Sequence, residues 1–329
     1  MSKEYSDFEA LGSYTTFGVA ARCARFIECD SEEQLLATLR RTDLPQPVKL
    51  IGGGSNLLFT KPFEGTIVYR CDSDLSAVDV AADGSVTVSA SVRLDALCER
   101  MCELGWWEFA NLSAIPGTVG GAAVQNAGAY GMEMSNVVKA LRVYNAATGH
   151  VETMPVELLH YGYRQSSLKS RTDIYILSVI FLPSERLQAP LLDYGKLRDG
   201  VDEATLTPTE LRRVVTEIRR QKLPDPAEVG SAGSFFRNPE VAKELVPAGA
   251  PAFLQPNGLY KVSAAWLIDR AGLKGSAEGG AALWSAQPLV IVNKSGDATA
   301  CEILRMEQRV VATVEQKYNI KLTPEVEHL

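Results

Sequence analysis

Apolar positions in this chain recur every second residue in some stretches and every third or fourth in others, and the two periods mark strands and helices. Arg25-Phe26-Ile27-Glu28-Cys29 reads as a strand and Val48-Lys49-Leu50-Ile51 as a buried one. Between them Ser31-Glu32-Glu33-Gln34 offers cap chemistry for a short helix with Leu35, Leu36 and Leu39 inward, ended by Pro45 and Pro47. Alternation over residues 65–90 predicts strands at 66–69, 78–80 and 85–90, the last two joined by an Asp83-Gly84 turn. Leu94 to Leu104 reads as a helix closed by Gly105. Further strands are expected at 141–144, 150–154, 175–182 and 289–293. Further helices are expected at 208–221, capped at Thr209 or its neighbour with Leu211, Val214, Val215 and Ile218 on one stripe, and at 263–271 and 297–317.

One segment follows neither period. Residues 115–131, Ile-Pro-Gly-Thr-Val-Gly-Gly-Ala-Ala-Val-Gln-Asn-Ala-Gly-Ala-Tyr-Gly, are almost uncharged and dense in glycine. Glycine is entropically poor in regular elements, so such density points to left-handed backbone or a close approach to another surface. Composition alone leaves open a buried turn or helix crossing that only needs small residues. A second glycine run, Gly52-Gly53-Gly54-Ser55-Asn56-Leu57, follows the strand at 48–51. It is not the dinucleotide fingerprint, whose last glycine lets helix and strand pack, because Leu57 stands there. It is no Walker loop either, lacking the Gly-Lys-Ser/Thr ending. Successive N–H groups of such a run can still cradle a pyrophosphate, with a plain glycine turn as the other reading.

The 329 residues suffice for about two domains, and 46% apolar with 22% charged is ordinary for a soluble globular protein. A net charge of −7 without a Lys/Arg-rich run argues against nucleic acid. Six cysteines lack framework spacing, which fits reduced thiols, and three histidines form no metal-binding pair, so no metal is expected. No apolar leader opens the chain and no apolar run reaches the ~20 residues of a spanning helix, so no membrane partner and a cytoplasmic location are expected.

Several separated segments resemble one family in order. Gly52–Leu57 and the 115–131 run, Tyr163-Arg164-Gln165-Ser166-Ser167-Leu168-Lys169, Lys222-Leu223-Pro224-Asp225-Pro226, Gly233-Ser234-Phe235-Phe236-Arg237-Asn238-Pro239 and Pro324-Glu325-Val326 are similar to blocks of the UDP-N-acetylenolpyruvoylglucosamine reductases. Tyr194 in Leu192-Asp193-Tyr194-Gly195, with the inserted 185–210 region, resembles the longer subtype, which folds a tyrosine loop over the substrate. The loop at 275–282 departs from the more polar stretch of some relatives, so no contact is assigned to it.

The resemblance implies an α+β fold with a two-part FAD-binding region of the PCMH/vanillyl-alcohol-oxidase type and a C-terminal α+β substrate-binding domain. Expected boundaries are 1–68 joined by the tail 318–329, 69–207, and 208–317. FAD, tightly bound, would be held by Gly52, Gly53, Gly54, Ser55, Asn56, Leu57, Ile115, Pro116, Gly117, Gly120, Gly121 and Gly128. NADPH is the co-substrate, and UDP-N-acetylglucosamine enolpyruvate meets Tyr130, Tyr163, Tyr194, Lys222, Asn238 and Gln287. Arg164 and Glu325 would stabilise an enolate-like intermediate, and Ser234 would supply the proton that completes UDP-N-acetylmuramate. A monomer is expected. From residue type alone Arg164 also reads as a surface ion-pair residue, Ser234 as a turn or cap serine, and Glu325 as a frayed tail carboxylate. Another flavoenzyme of this fold, such as an oxidase, and a non-catalytic module that has kept the scaffold are the alternatives.

Overall fold

The computed structural model describes residues 2–72, 78–182, 187–195 and 197–329. The chain divides into two compact units, one formed by the residues up to Phe8 with Cys23–Gly53 and Glu64–Arg219, the other by Glu9–Arg22, Gly54–Phe63 and Arg220–Leu329. Its helices are α1 (Glu32–Leu39), α2 (Leu94–Glu103), α3 (Trp107–Asn111), α4 (Val119–Gln125), α5 (Pro208–Lys222), α6 (Ala264–Arg270) and α7 (Ala300–Tyr318).

In the first unit a four-stranded sheet runs in the order Lys3–Phe8, Cys23–Cys29, Phe63–Arg70, Val48–Ile51. The strand at 63–70 separates the two strands that flank α1, so the opening is not a Rossmann unit, as Leu57 foretold. Ser31 caps α1 by accepting from the Gln34 N–H at 3.3 Å. Leu35 is fully buried with Ile27 and Val68, while Leu36 and Leu39 pack at the edge of that cluster.

The second sheet of this unit is antiparallel throughout, in the order His150–Pro155, Val138–Asn145, Ile174–Phe181, Val86–Ser89, Asp79–Val80. The Asp83-Gly84 turn lies where the sequence puts it, with Asp83 Oδ1 accepting from the Ser85 N–H at 2.9 Å. The apolar faces of α2, α3 and α4 join this sheet in one core of Leu94, Leu97, Met101, Phe109, Val119, Ala123, Val143 and Phe181. Each of the Leu, Met, Phe and Val side chains among them contributes roughly 1.5–3 kcal/mol by leaving water. α4 lies inside the glycine-rich run, where no period announces a helix. It forms because Gly120 admits Ala90 so closely that a Cβ would sit 2.8 Å from the Ala90 methyl.

In the second unit the apolar stripe Ile303, Met306, Val310 and Val314 of α7 packs on a sheet ordered Gly230–Ser231, Ile291–Asn293, Ala281–Leu283, Ala277–Glu278. Thr299 and Glu302 cap α7 reciprocally, so it starts three residues later than the apolar pattern suggests. Likewise α5 is capped by Thr207, whose Oγ1 accepts from the Glu210 N–H at 3.2 Å, and not by Thr209. The 275–282 loop is a hairpin held by α7, with Glu302 accepting from the Gly280 N–H at 3.2 Å.

Candidate active site

The two glycine runs meet in the first unit. A Cβ on Gly52 would lie 2.3 Å from Thr118 Oγ1, and one on Gly53 2.9 Å from the Gly117 Cα, so only glycine allows the approach. Gly117 itself has φ +106°. Thr118 caps α4 by accepting from the Gly121 N–H at 3.3 Å. Among the described residues no acceptor meets the N–H groups of Gly53 and Gly54.

Arg164 sits at the tip of a two-residue turn closed by reciprocal 3.0 Å hydrogen bonds between Gly162 and Gln165. Its φ of +53° is a left-handed conformation that an arginine adopts only when its surroundings impose it. They do so through α4, whose last carbonyls take donors from this segment. The Tyr161 hydroxyl donates to the Ala123 carbonyl at 2.9 Å and the Ser166 hydroxyl to that of Val124. Asn126, left-handed at the C-cap, donates from Nδ2 to the Gly162 carbonyl at 2.9 Å and to Glu133 at 2.8 Å. The Arg164 guanidinium donates to the Gly128 carbonyl at 2.6 Å, stands 3.6 Å from a Glu133 oxygen, and lies 5.1 Å from the Tyr163 ring centre.

One further group of this unit escaped the sequence reading. Arg219 of α5 is partly buried and donates from Nε to the Ala114 carbonyl at 3.2 Å. Desolvation pushes its pKa down, opposed by Tyr130 and Asp95 and reinforced by the like charge of Arg164. Its spacing of seven from Arg212, at the border of the apolar stripe, was the available signal. Tyr130 and Gly131, both at positive φ, form a hairpin turn, and burial raises the Tyr130 hydroxyl pKa. Tyr194 is half exposed, and its ring edge lies 3.3 Å from where a Gly131 Cβ would be. Residues 185, 186 and 196 of the expected insert lie outside the described residues.

The second unit holds the other candidates. The Glu325 N–H donates to the Phe235 carbonyl at 2.7 Å, and the Arg237 N–H to that of Thr323 at 3.0 Å, so the Ser234 segment and the C-terminal tail run antiparallel. On its other side the tail pairs in parallel with Leu57–Leu58. Asn56 Nδ2 donates to the Glu325 carbonyl at 3.2 Å, and the Glu327 N–H donates to the Asn56 carbonyl at 2.9 Å. A tail stitched on both edges is no frayed terminus. Gly233 (φ +68°) turns the chain before Ser234, and Phe235 and Phe236 beyond it are fully buried. Glu307 of α7 lies 3.3 Å from the His328 imidazole, and burial pushes the Glu307 carboxyl up to about 7 while lowering the His328 pKa. Asn238 spends Oδ1 on the Ala264 N–H at 2.9 Å, tethering α6. Lys222 is exposed at the end of α5, and the Gln287 carbonyl accepts from the Val290 N–H at 3.0 Å. Among the described residues no group of His, Cys, Asp and Glu is arranged to hold a metal, and no helix is long and apolar enough to cross a membrane.

A family model for the UDP-N-acetylenolpyruvoylglucosamine reductase C-terminal domain matches residues 225–329, and one for an FAD binding domain matches 23–154. The chain is 36% identical over 339 aligned residues to the UDP-N-acetylenolpyruvoylglucosamine reductase of Bacteroides fragilis (strain YCH46), covering 99% of each chain. It is 35% identical to that of Pseudomonas aeruginosa, again over 99% of each. The fold is also that of the crystal structure of the Thermus caldophilus reductase, with a TM-score of 0.69 at 24% identity over 100% of this chain and 98% of that one.

Proposed function

The chain belongs to the UDP-N-acetylenolpyruvoylglucosamine reductase family, and from that premise we propose how its own side chains carry the reaction. It is an FAD-dependent oxidoreductase that reduces UDP-N-acetylglucosamine enolpyruvate to UDP-N-acetylmuramate, with NADPH as reductant, in peptidoglycan precursor synthesis. When bound, FAD supplies hydride transfer, which no side chain can. The glycine runs suit its diphosphate: a Cβ at Gly52 or Gly53 would collide with the facing 117–118 segment, and among the described residues the Gly53 and Gly54 amides meet no acceptor. Gly52, Gly53, Gly54, Ser55, Asn56 and Leu57 hold the cofactor from one side and Ile115, Pro116, Gly117, Gly120, Gly121 and Gly128 from the other. The same reading divides the chain into a two-part cofactor region (1–68 with 318–329, and 69–207) and a substrate domain (208–317).

The Arg164 guanidinium, which cannot lose its charge, grips the enolpyruvyl carboxylate and the charge that develops beside it. Glu325 meets the same charge from the tail. The Ser234 hydroxyl gives its proton to the carbon that bears the carboxylate, so hydride at the methylene carbon and this proton together saturate the double bond. Donors fixed in advance where charge appears are the largest usual contribution in such sites. Tyr130, Tyr163, Tyr194, Lys222, Asn238 and Gln287 bind the UDP-sugar and nicotinamide, and the enzyme works as a cytoplasmic monomer.

What supports this reading most is the 2.7 Å hydrogen bond from the Glu325 backbone N–H to the Phe235 carbonyl, which ties the residue after Ser234 to the backbone of the residue that carries the catalytic carboxyl. The test is direct. Purified protein should be yellow, lose its colour on anaerobic addition of NADPH, and regain it when the UDP-sugar enolpyruvyl ether is added. Colour returning only with oxygen would instead identify an oxidase.

A further inference from the structure

We propose that α3 anchors the Tyr194 loop, with Asn111 and Glu108 as positioning residues for UDP-sugar binding; the inference rests on the assignment of Tyr194 to that substrate. Glu108 and Asn111 stand three apart on a five-residue helix and therefore share a face. They are 1% and 0% exposed, where polar side chains are rarely found without a specific partner. Both partners are backbone of one loop. Glu108 Oε1 accepts from the Leu187 N–H at 2.7 Å, and Asn111 Nδ2 donates to the Leu191 carbonyl at 3.0 Å.

Asn111 Nδ2 has a second acceptor, the Tyr130 carbonyl at 2.9 Å. One amide thus joins the Tyr130-Gly131 turn to the root of the Tyr194 loop. Only the NH2 end of an amide can face two carbonyls, so the acceptors themselves fix its orientation. Among the described residues its Oδ1 is left buried without a partner, which an apolar side chain of similar size would avoid. Stability alone therefore does not select asparagine here; the junction does. The loop answers the same geometry. Leu192 is buried in the core, the Leu191 side chain would lie 3.0 Å from a Gly131 Cβ, and Tyr194 alone of these stands half exposed. Held at Leu187 and Leu191, the loop presents the Tyr194 ring with little freedom left to lose on binding.

The test is a double-mutant cycle between Asn111→Ala and Tyr194→Ala in the FAD-loaded enzyme. Alone, Asn111→Ala should raise KM for the UDP-sugar about tenfold, as loss of a buried hydrogen-bonded junction implies, while the rate of reduction by NADPH stays within about twofold. In the Tyr194→Ala background it should add nothing further. The isosteric Asn111→Asp, which sets an acceptor against two carbonyls, should match or exceed the alanine variant. In the unaltered protein the Leu187 amide should exchange its hydrogen slowly, whatever the variants do. Effects that multiply across the cycle, equal losses in both half-reactions, or a fast-exchanging Leu187 amide would overturn the inference. An unchanged KM in Tyr194→Ala alone would instead remove Tyr194 from the substrate, and the inference with it.

Discussion

Replacing Gly54 by alanine separates what the glycine run does for the fold from ordinary glycine preference. Gly54 has φ +60°, and an added Cβ would lie 2.1 Å from the Tyr14 carbonyl oxygen and 2.6 Å from the Thr15 Cα. Left-handed backbone costs an alanine roughly 1–2 kcal/mol. The clash is with backbone, which cannot swing aside as a side chain would, and overpacking of this kind costs about 1–3 kcal/mol more. The Gly54→Ala loss should therefore be roughly 2–5 kcal/mol. Gly258 is the control, with φ +83° and nothing within 4 Å of a new Cβ, so its alanine variant bears only the first cost. Equilibrium urea unfolding of the two variants gives the difference, and fluorescence titration gives the FAD dissociation constant. FAD affinity should fall with Gly54→Ala and hold with Gly258→Ala. Equal stability losses, or unchanged FAD affinity in Gly54→Ala, would refute a role for close approach in building the cradle.

Other consequences can be checked as simply. Arg164→Lys keeps the charge but not the planar fork, and stopped-flow should show oxidation by the UDP-sugar slowed ~10²–10³-fold with reduction by NADPH changed only a few-fold. Thr118→Val removes the acceptor for the Gly121 N–H and should cost about 1 kcal/mol in urea unfolding. Glu307 has a folded pKa near 7 against an ordinary 4.5, so its contribution to stability is full below 4.5 and is lost as pH rises through 7. At 1.36 kcal/mol per unit the loss is roughly 3 kcal/mol, and Glu307→Gln should gain on the unaltered protein by up to that amount in denaturant titrations above pH 7.

Features with local causes were legible in the sequence. Ser31 at a helix start, Asp83-Gly84 between alternating strands, and the stripe of Leu211, Val214 and Val215 each act within a few residues, and each stands where the pattern puts it. The tail around Glu325, which residue type alone reads as frayed, is instead docked by its pairing with Leu57–Leu58. Tertiary packing hid the rest. α4 carries two glycines in seven residues against propensity, because close contact with Ala90 outweighs the roughly 1 kcal/mol that each costs. The three-stranded sheet of Glu240–Val241, Tyr260–Val262 and Ala252–Leu254 has strands too short for a period to show. Asn111, Glu108 and Asn126 have partners far along the chain, and no local pattern separates them from solvent-facing residues of the same type.

The proton assigned to Ser234 is the most exposed point of the account, and one variant tests it. In Ser234→Ala the two half-reactions should part company in an anaerobic stopped-flow experiment. Reduction by NADPH should keep its rate within a few-fold, and the return of colour on mixing with the UDP-sugar enolpyruvyl ether should slow by at least about 10³-fold. Equal slowing of both steps, or full-speed return of colour, would contradict it.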